Sequence, residues 1–415
     1  MTASPRLAGL RERFGPLLDE VREGAVRREL ASTTPGRELP HDLVRRFAAA
    51  GLGRVRLPVA DGGDGVDLVE LGHLVADLAA ADSNLAHLFR GHFGFTELVL
   101  LRPESRDRQA WISRLAGGAV VGNATSERTG ADLADISTTL TDAGDGSALL
   151  DGTKYYSTGT LYSDWVYLAA GRARADGPAE RVTLAVPTDA PGVTVLDDWD
   201  GFGQRLTASG TTRFEGVRVD PAAVSAYRDA PRSHIQAFYQ WYLLAVLAGI
   251  AEAAERDVVE FVRPRTRSYV HANAARPADD PQVLAVVGEV SSGAFAARAL
   301  VAEAARRLDA VVGSSVPGEG VDRDLLDDAE HAVYQAQVEL VPRVLRATTE
   351  LFEVGGASAT DRGRALDRHW RNARVVASHN PVAFKQRLVG ERALHGRGPS
   401  AVWSAYHDVG PTRAS

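Results

Sequence analysis

Along the first 117 residues apolar positions recur at helical spacing, as in Leu39, Leu43 and Phe47 and then Leu68, Leu71, Leu74, Val75 and Leu78. A period of three to four residues is that of helices burying one face. The pattern predicts a helical domain from Arg6 to about Gly117, with Pro40 in a first helical turn and Pro58 to Gly65 as a breaker-rich connection. Between about Ala119 and Val219 the runs shorten to Val166–Ala170, Val182–Val186 and Val193–Val195, divided by Gly, Asp and Pro, which predicts strands. From about Ser233 helical spacing returns over 243–261, 283–308 and 325–352, with a shorter run at 384–394. The Ala-rich helices 243–261 and 283–308 are apolar over wide faces, so more than one side is expected to be buried, most simply by oligomerisation. Gly313 to Asp322 reads as a surface loop. The order α, β, α predicts an α+β protein of three domains: an N-terminal helical domain (1–118), a central β-barrel (119–232) and a C-terminal four-helix bundle (233–415).

Composition then narrows the chemistry. A chain of 415 residues is long enough for a large core. Its net charge of −7, without a concentrated Lys/Arg stripe, argues against a nucleic-acid partner. The absence of cysteine removes disulfides, thiolate catalysis, iron–sulfur clusters and zinc–thiolate sites, so redox work needs a bound cofactor. No metal site is assigned. The N-terminal MTASPRLAGLRERFG has no apolar signal core, and no uninterrupted apolar run reaches membrane-spanning length. A cytoplasmic protein without a membrane partner is expected. No GxGxxG lies between a strand and a helix, so no nicotinamide-binding domain is evident.

The stretch Gly122–Trp165 carries the most chemistry. Asn123-Ala124-Thr125-Ser126-Glu127 places small hydroxyl and amide side chains beside a Gly-containing loop, which suits close approach and hydrogen bonding to a ligand. Lys154–Gly159 reads as a returning strand, in which Tyr156 and Thr158 share one face and Ser157 takes the other. An aromatic face with a hydroxyl suits a flat polar ring such as an isoalloxazine. Further motifs follow in order: Leu57-Pro58 with Gly62-Gly63-Asp64-Gly65, Asp198-Trp199, Gly203-Gln204-Arg205, Leu351–Ser358 and Leu366–Arg374. Together these motifs resemble the acyl-CoA dehydrogenase superfamily, and within it the flavin-dependent monooxygenases of the dibenzothiophene monooxygenase type, nearly end to end.

The resemblance implies that Asn123, Ser126, Tyr156, Ser157 and Thr158 line the flavin; the alternative is an ordinary polar strand and turn. Trp199 would wall the ring or cap the barrel, and the wall is preferred. Arg267 matches an arginine that reaches the flavin phosphate across a subunit boundary, whereas Arg263 and Arg265 read as a solvated basic helix end. Ala357 and Ser358 fall where relatives hold the phosphate end, although the glycines before them also suit a helix C-cap. FMN is favoured over FAD because Arg267-Ser268-Tyr269-Val270 replaces the Arg-x-Phe-Gly element of FAD-binding relatives.

Histidines and amides separate the reaction classes. His379 matches a histidine beside flavin and substrate in the monooxygenases. Where dehydrogenases carry a catalytic glutamate this chain has Asn380, and Gln240 stands at the alternative glutamate position. An amide cannot take the α-proton of an acyl-CoA. His87 and His92, five apart and read on one helix, point about 140° apart at 3.6 residues per turn; each is a candidate mild base or a core histidine. Gly91 replaces a pocket tyrosine and Val376 a second histidine, which implies more room and a different substrate.

These readings point to a two-component monooxygenase. It would take reduced flavin from a separate NAD(P)H:flavin reductase, react with O2 through a C4a-hydroperoxyflavin and oxygenate a small aromatic or heteroaromatic substrate at C, N or S, as a homotetramer. His379, His87, His92, Ser157 and Thr158 are the expected catalytic set. The alternatives are an amine or amino-sugar N-oxygenase, an acyl-CoA dehydrogenase and a non-catalytic member of the fold.

Overall fold

The computed structural model describes residues 4–32, 37–128, 136–174, 179–227 and 232–399. Residues 1–3 of the N-terminal reading, 129–135 of the flavin-like stretch, 228–231 before the expected domain boundary and 400–415 at the end of the expected bundle lie outside the described residues.

Six helices come first: α1 (Pro5–Ala31), α2 (His41–Ala49), α3 (Leu68–Ala81), α4 (Ser83–Leu88), α5 (Arg90–Leu101) and α6 (Arg106–Ala116). Eight strands follow: β1 (Val121–Ala124), β2 (Thr139–Asp142), β3 (Ala148–Lys154), β4 (Trp165–Arg172), β5 (Glu180–Pro187), β6 (Val193–Val195), β7 (Thr212–Val219) and β8 (Ser225–Ala226). The last helices are α7 (Ile235–Val262), α8 (Pro281–Gly313), α9 (Arg323–Glu350), α10 (Asp367–Ser378) and α11 (Val382–His395). Local sequence starts several of them. Ser4 caps α1 ahead of Pro5, Asp67 and Glu70 form a capping box on α3, and Asp280 caps α8 ahead of Pro281.

The chain divides into two compact units, residues 1–66, 84–232 and 316–320, and residues 67–83, 233–315 and 321–415. The first holds the sheet, in the order β6-β7-β3-β2-β4-β5-β8, with β1 parallel to β4. Among the described residues the path runs from β6 to β8, a mixed sheet that forms the expected central β-domain. Alternation along β5 sends Val182, Leu184 and Val186 into the sheet's core, and β7, whose alternation is interrupted at Glu215-Gly216, adds Phe214, Val217 and Val219. A second apolar cluster joins Leu57, Phe95, Trp111 and Leu115 to Val121 at the start of β1.

In the second unit α7, α8 and α9 pack on one another, α10 lies on α7 and α9, and α11 lies on α9. Although α3 belongs to the N-terminal third of the chain, it packs here, against α7 and α8. Two glycines permit this. A Cβ at Gly72 would stand 2.8 Å from the Trp241 ring, and one at Gly249 would stand 2.3 Å from the Ala76 carbonyl oxygen. Trp241 in turn donates through Nε1 to the Val301 carbonyl at 3.0 Å.

Among the described residues two helices, α7 and α8, are long and apolar enough to cross a membrane by length and composition, although neither is an uninterrupted apolar run. The apolar window of α7 is 89% buried among its neighbours, as in a core helix. That of α8 is 22% buried within the chain, and Leu284 and Phe295 on it are exposed.

Candidate active site

The returning strand stops sooner than its alternation predicts. Strand β3 ends at Lys154, and Tyr156 adopts φ 60°, a left-handed conformation that turns the chain. The expected shared face of Tyr156 and Thr158 is therefore lost: Tyr156 is 51% exposed, whereas Thr158 is 5% and Ser157 1% exposed. A buried ion pair anchors this end of the strand, with Lys154 Nζ donating to Glu127 Oε1 at 2.6 Å and Ser137 and Thr138 donating to the same carboxylate. Burial raises the Glu127 pKa, but Lys154 and the Ser137 and Thr138 donors outweigh it and hold the group at about 2.

Two bonds tie the Tyr156–Thr158 turn to the β1 edge: the Tyr155 N–H donates to the Ser126 carbonyl at 2.9 Å, and Thr160 Oγ1 donates to the Asn123 carbonyl at 3.3 Å. The Trp199 ring stands 6.0 Å from that of Tyr156 and donates through Nε1 to the Gln204 carbonyl at 3.0 Å. Asn123, Ser126, Tyr156, Ser157, Thr158 and Trp199 are thus brought into one neighbourhood. Ser157 Oγ is buried without a hydrogen-bond partner, while Thr158 Oγ1 pairs with Ser209 Oγ at 2.8 Å and Ser209 pairs with Thr207 Oγ1 at 2.8 Å.

The spacing of His87 and His92 does not describe one helix, because the helix breaks at Phe89 between α4 and α5. His87 Nδ1 meets Gln204 Oε1 at 3.2 Å, so Nδ1 carries the proton and Nε2 presents its lone pair. Burial pushes His87 down to about 3, with Arg90 acting in the same direction and the Gln204 bond opposing. It is therefore neutral at physiological pH. His92 is taken up at both nitrogens: Nε2 donates to the Gly53 carbonyl at 2.7 Å, and Nδ1 accepts from the Val121 N–H at 3.2 Å. Burial pushes its pKa down as well. His92 thus ties β1 to the Gly53 turn through both ring nitrogens.

Gly91 does not leave the room expected of it. A Cβ there would lie 3.1 Å from both the Cβ and the N of Asn123, so the missing side chain lets α5 approach β1.

In the second unit the two amides that the resemblance aligns with dehydrogenase base positions meet. Asn380 Nδ2 donates to Gln240 Oε1 at 2.7 Å, and Gln337 Nε2 donates to the Asn380 carbonyl at 2.8 Å. His379 is exposed at the C-terminal cap of α10. Arg267 is exposed, and Ala357 and Ser358 are exposed on the 3-10 turn Gly356–Thr360. Arg265 is not merely solvated: its guanidinium lies 4.8 Å over the Phe261 ring and donates to the Gly355 carbonyl at 3.4 Å. Arg364 covers the same ring at 4.9 Å.

Sequence reading passed over Gln204, Thr207, Ser209 and Gln337. Gln204 and Ala208 hold left-handed φ values of 48° and 49°, and with Tyr156 they are three of the four such non-glycine residues among the described residues. Strained backbone of this kind persists where surrounding structure enforces it. The Gly203-Gln204-Arg205 motif was the only signal available beforehand.

Acyl-CoA dehydrogenase N-terminal, middle and C-terminal domains match residues 17–119, 123–217 and 242–384. A probable FMNH2-dependent monooxygenase, SfnC, of Pseudomonas putida is 31% identical over 405 residues, covering 95% of this chain and 96% of its own. Dibenzothiophene monooxygenase of Rhodococcus erythropolis is 30% identical over 405 residues, covering 92% of each chain. The crystal structure of FMN-bound TdsC from Paenibacillus sp. A11-2 superimposes with a TM-score of 0.85 at 29% identity, over 96% of this chain and 99% of that one. The chain therefore belongs to the acyl-CoA dehydrogenase superfamily, as a member of its flavin-dependent monooxygenase branch.

Proposed function

We propose that this protein is the oxygenase of a two-component system, using FMN reduced by a separate NAD(P)H:flavin reductase to oxygenate a small aromatic or heteroaromatic molecule at carbon, nitrogen or sulfur. The observation that carries the choice against acyl-CoA dehydrogenation is the Gln240–Asn380 pair. Both positions at which a dehydrogenase would hold a carboxylate base carry amides, and those amides hydrogen-bond to each other. FMN is favoured because the TdsC structure is FMN-bound and SfnC is described as FMNH2-dependent.

The residues present fit a flavin. Ser157 Oγ is a buried hydroxyl without a partner, a donor suited to a ring heteroatom, and Asn123 and Ser126 stand half-buried on the adjoining strand edge. Tyr156 and Trp199 offer aromatic surface beside them. By resemblance the phosphate end is assigned to Arg267, across a subunit boundary, and to Ala357 and Ser358, and Arg265 stands beside Gly355 next to that turn. Bound reduced flavin supplies the electrons that activate O2. Gln204 fixes the tautomer of neutral His87 through Nδ1. Thr158 is oriented by Ser209, and by resemblance His379 is assigned to orienting the substrate. His92 contributes by holding β1, which carries Asn123. The domain limits 1–118, 119–232 and 233–415 and a homotetramer buried through the exposed apolar face of α8 complete the proposal.

Purified protein mixed anaerobically with reduced FMN, then with O2 and a panel of thioethers, indoles and amines, tests the reading. Slowed reoxidation with an oxygenated product is expected. Reoxidation as fast as in free solution, with only peroxide formed across the panel, would overturn it.

A further inference from the structure

We infer that Gln337 is a positioning residue for the proposed oxygenation, clamping the turn between α10 and α11 that carries His379 and Asn380. The inference rests on the monooxygenase reading above for its catalytic consequence, but its geometry stands alone.

Asn380 is held from two sides. Gln337, on α9, donates from Nε2 to its backbone carbonyl at 2.8 Å, and Gln240, on α7, accepts from its side chain at 2.7 Å. Pro381 follows directly and starts α11, so the turn has little backbone freedom apart from what these bonds remove. Gln337 is 1% exposed, yet its Oε1 is buried without a hydrogen-bond partner. This combination separates positioning from stabilisation. A buried amide that makes one bond and leaves its acceptor unsatisfied contributes little net stability, because the orphaned oxygen's desolvation offsets the bond gained. Methionine, unbranched and of similar length, would fill the same space without that penalty. Glutamine at 337 therefore has a use that stability does not explain, and among the described residues its side-chain hydrogen bond goes to the turn bearing His379.

Gln337→Met and Gln337→Glu, compared with the intact full-length chain, test the inference. Hydrogen–deuterium exchange of a peptide spanning residues 376–384 should quicken in Gln337→Met while peptides from α8 and the thermal midpoint stay unchanged. With reduced FMN and O2, the share of flavin oxidation yielding product rather than peroxide should fall severalfold, with flavin affinity unaltered. In Gln337→Glu that share should recover as pH is lowered, since a protonated carboxyl regains a donor for the Asn380 carbonyl. Unchanged exchange at 376–384 overturns the inference, as does uniformly faster exchange with a lowered midpoint, which marks an ordinary core residue. Failure of the wild-type chain to form any product sinks the monooxygenase reading instead, and the exchange result still decides the clamp.

Discussion

Asn380 donates its side-chain amide to Gln240 Oε1 across 2.7 Å, joining the two positions where a dehydrogenase would need a carboxylate. Gln240 is 6% exposed and Asn380 half-buried, so removing Asn380 strands a buried amide and removing Gln240 a half-buried one. Asn380→Leu and Gln240→Leu should each cost about 1–3 kcal/mol, and the double variant less than their sum. Urea denaturation of the four proteins checks this; strictly additive losses would mean that the pair does not interact in solution.

Ser157 and Ser209 should respond oppositely to truncation although both are buried hydroxyls. Ser209 Oγ bridges Thr158 and Thr207, so Ser209→Ala is expected to destabilise the fold by about 1–2 kcal/mol. Ser157 Oγ has no partner, so Ser157→Ala should leave stability within about 0.5 kcal/mol while weakening FMN binding. Thermal melts paired with flavin fluorescence titration separate the two; unaltered FMN affinity in Ser157→Ala would remove that residue from the site.

Gly91→Ala is predicted to cost about 1–3 kcal/mol through overpacking, despite alanine's better helix propensity, because the added Cβ meets Asn123 at 3.1 Å. The same shift of β1 should reduce FMN affinity. A variant more stable than wild type, with normal flavin binding, would show that α5 and β1 are not in close contact.

Stability should rise with pH from about 4 to about 6.5. Burial holds His87 at about 3 and His369 at about 4, and depresses His92, so across this interval the unfolded chain binds protons that the folded chain does not. Their contribution is complete above the unfolded histidine pKa and is lost as pH falls towards the folded values. Glu330 acts with opposite sign: burial and the neighbouring Asp327 raise it to about 7, so its contribution is lost as pH rises from about 4.5 to about 7. Urea midpoints measured from pH 5 to pH 7 should therefore increase, and more steeply in Glu330→Gln. A midpoint that falls over that interval would mean the histidines are not held neutral.

Much of the fold was legible because its signals are local. The spacing of Leu68, Leu71, Leu74 and Leu78 follows the 3.6-residue helical period, and short β-branched runs such as Val182–Val186 divided by breakers follow the strand. Motif order brought Asn123, Ser126, Tyr156, Ser157 and Trp199 together before any coordinates did, and it marked Gln240 and Asn380 as amides.

What periodicity alone could not decide was the fate of individual side chains. The alternation expected for Lys154–Gly159 fails at one residue, because the left-handed turn at Tyr156 depends on bonds from Ser157 and Gly159 to Gly210 and Thr207, some fifty positions away. His87 and His92 look alike in sequence. One meets the amide of Gln204 and the other two backbone groups, at Gly53 and Val121, so their tautomers and roles differ. The sequence by itself determined the order of elements, since that follows from local spacing, and its ordered motifs carried the resemblance that identified the family and aligned Gln240 and Asn380 with the dehydrogenase bases. Only the tertiary structure decided which hydroxyl is left unpartnered, which histidine is used up by backbone, where α3 packs and that Gln337 reaches Asn380, since those outcomes depend on contacts between residues far apart in the chain.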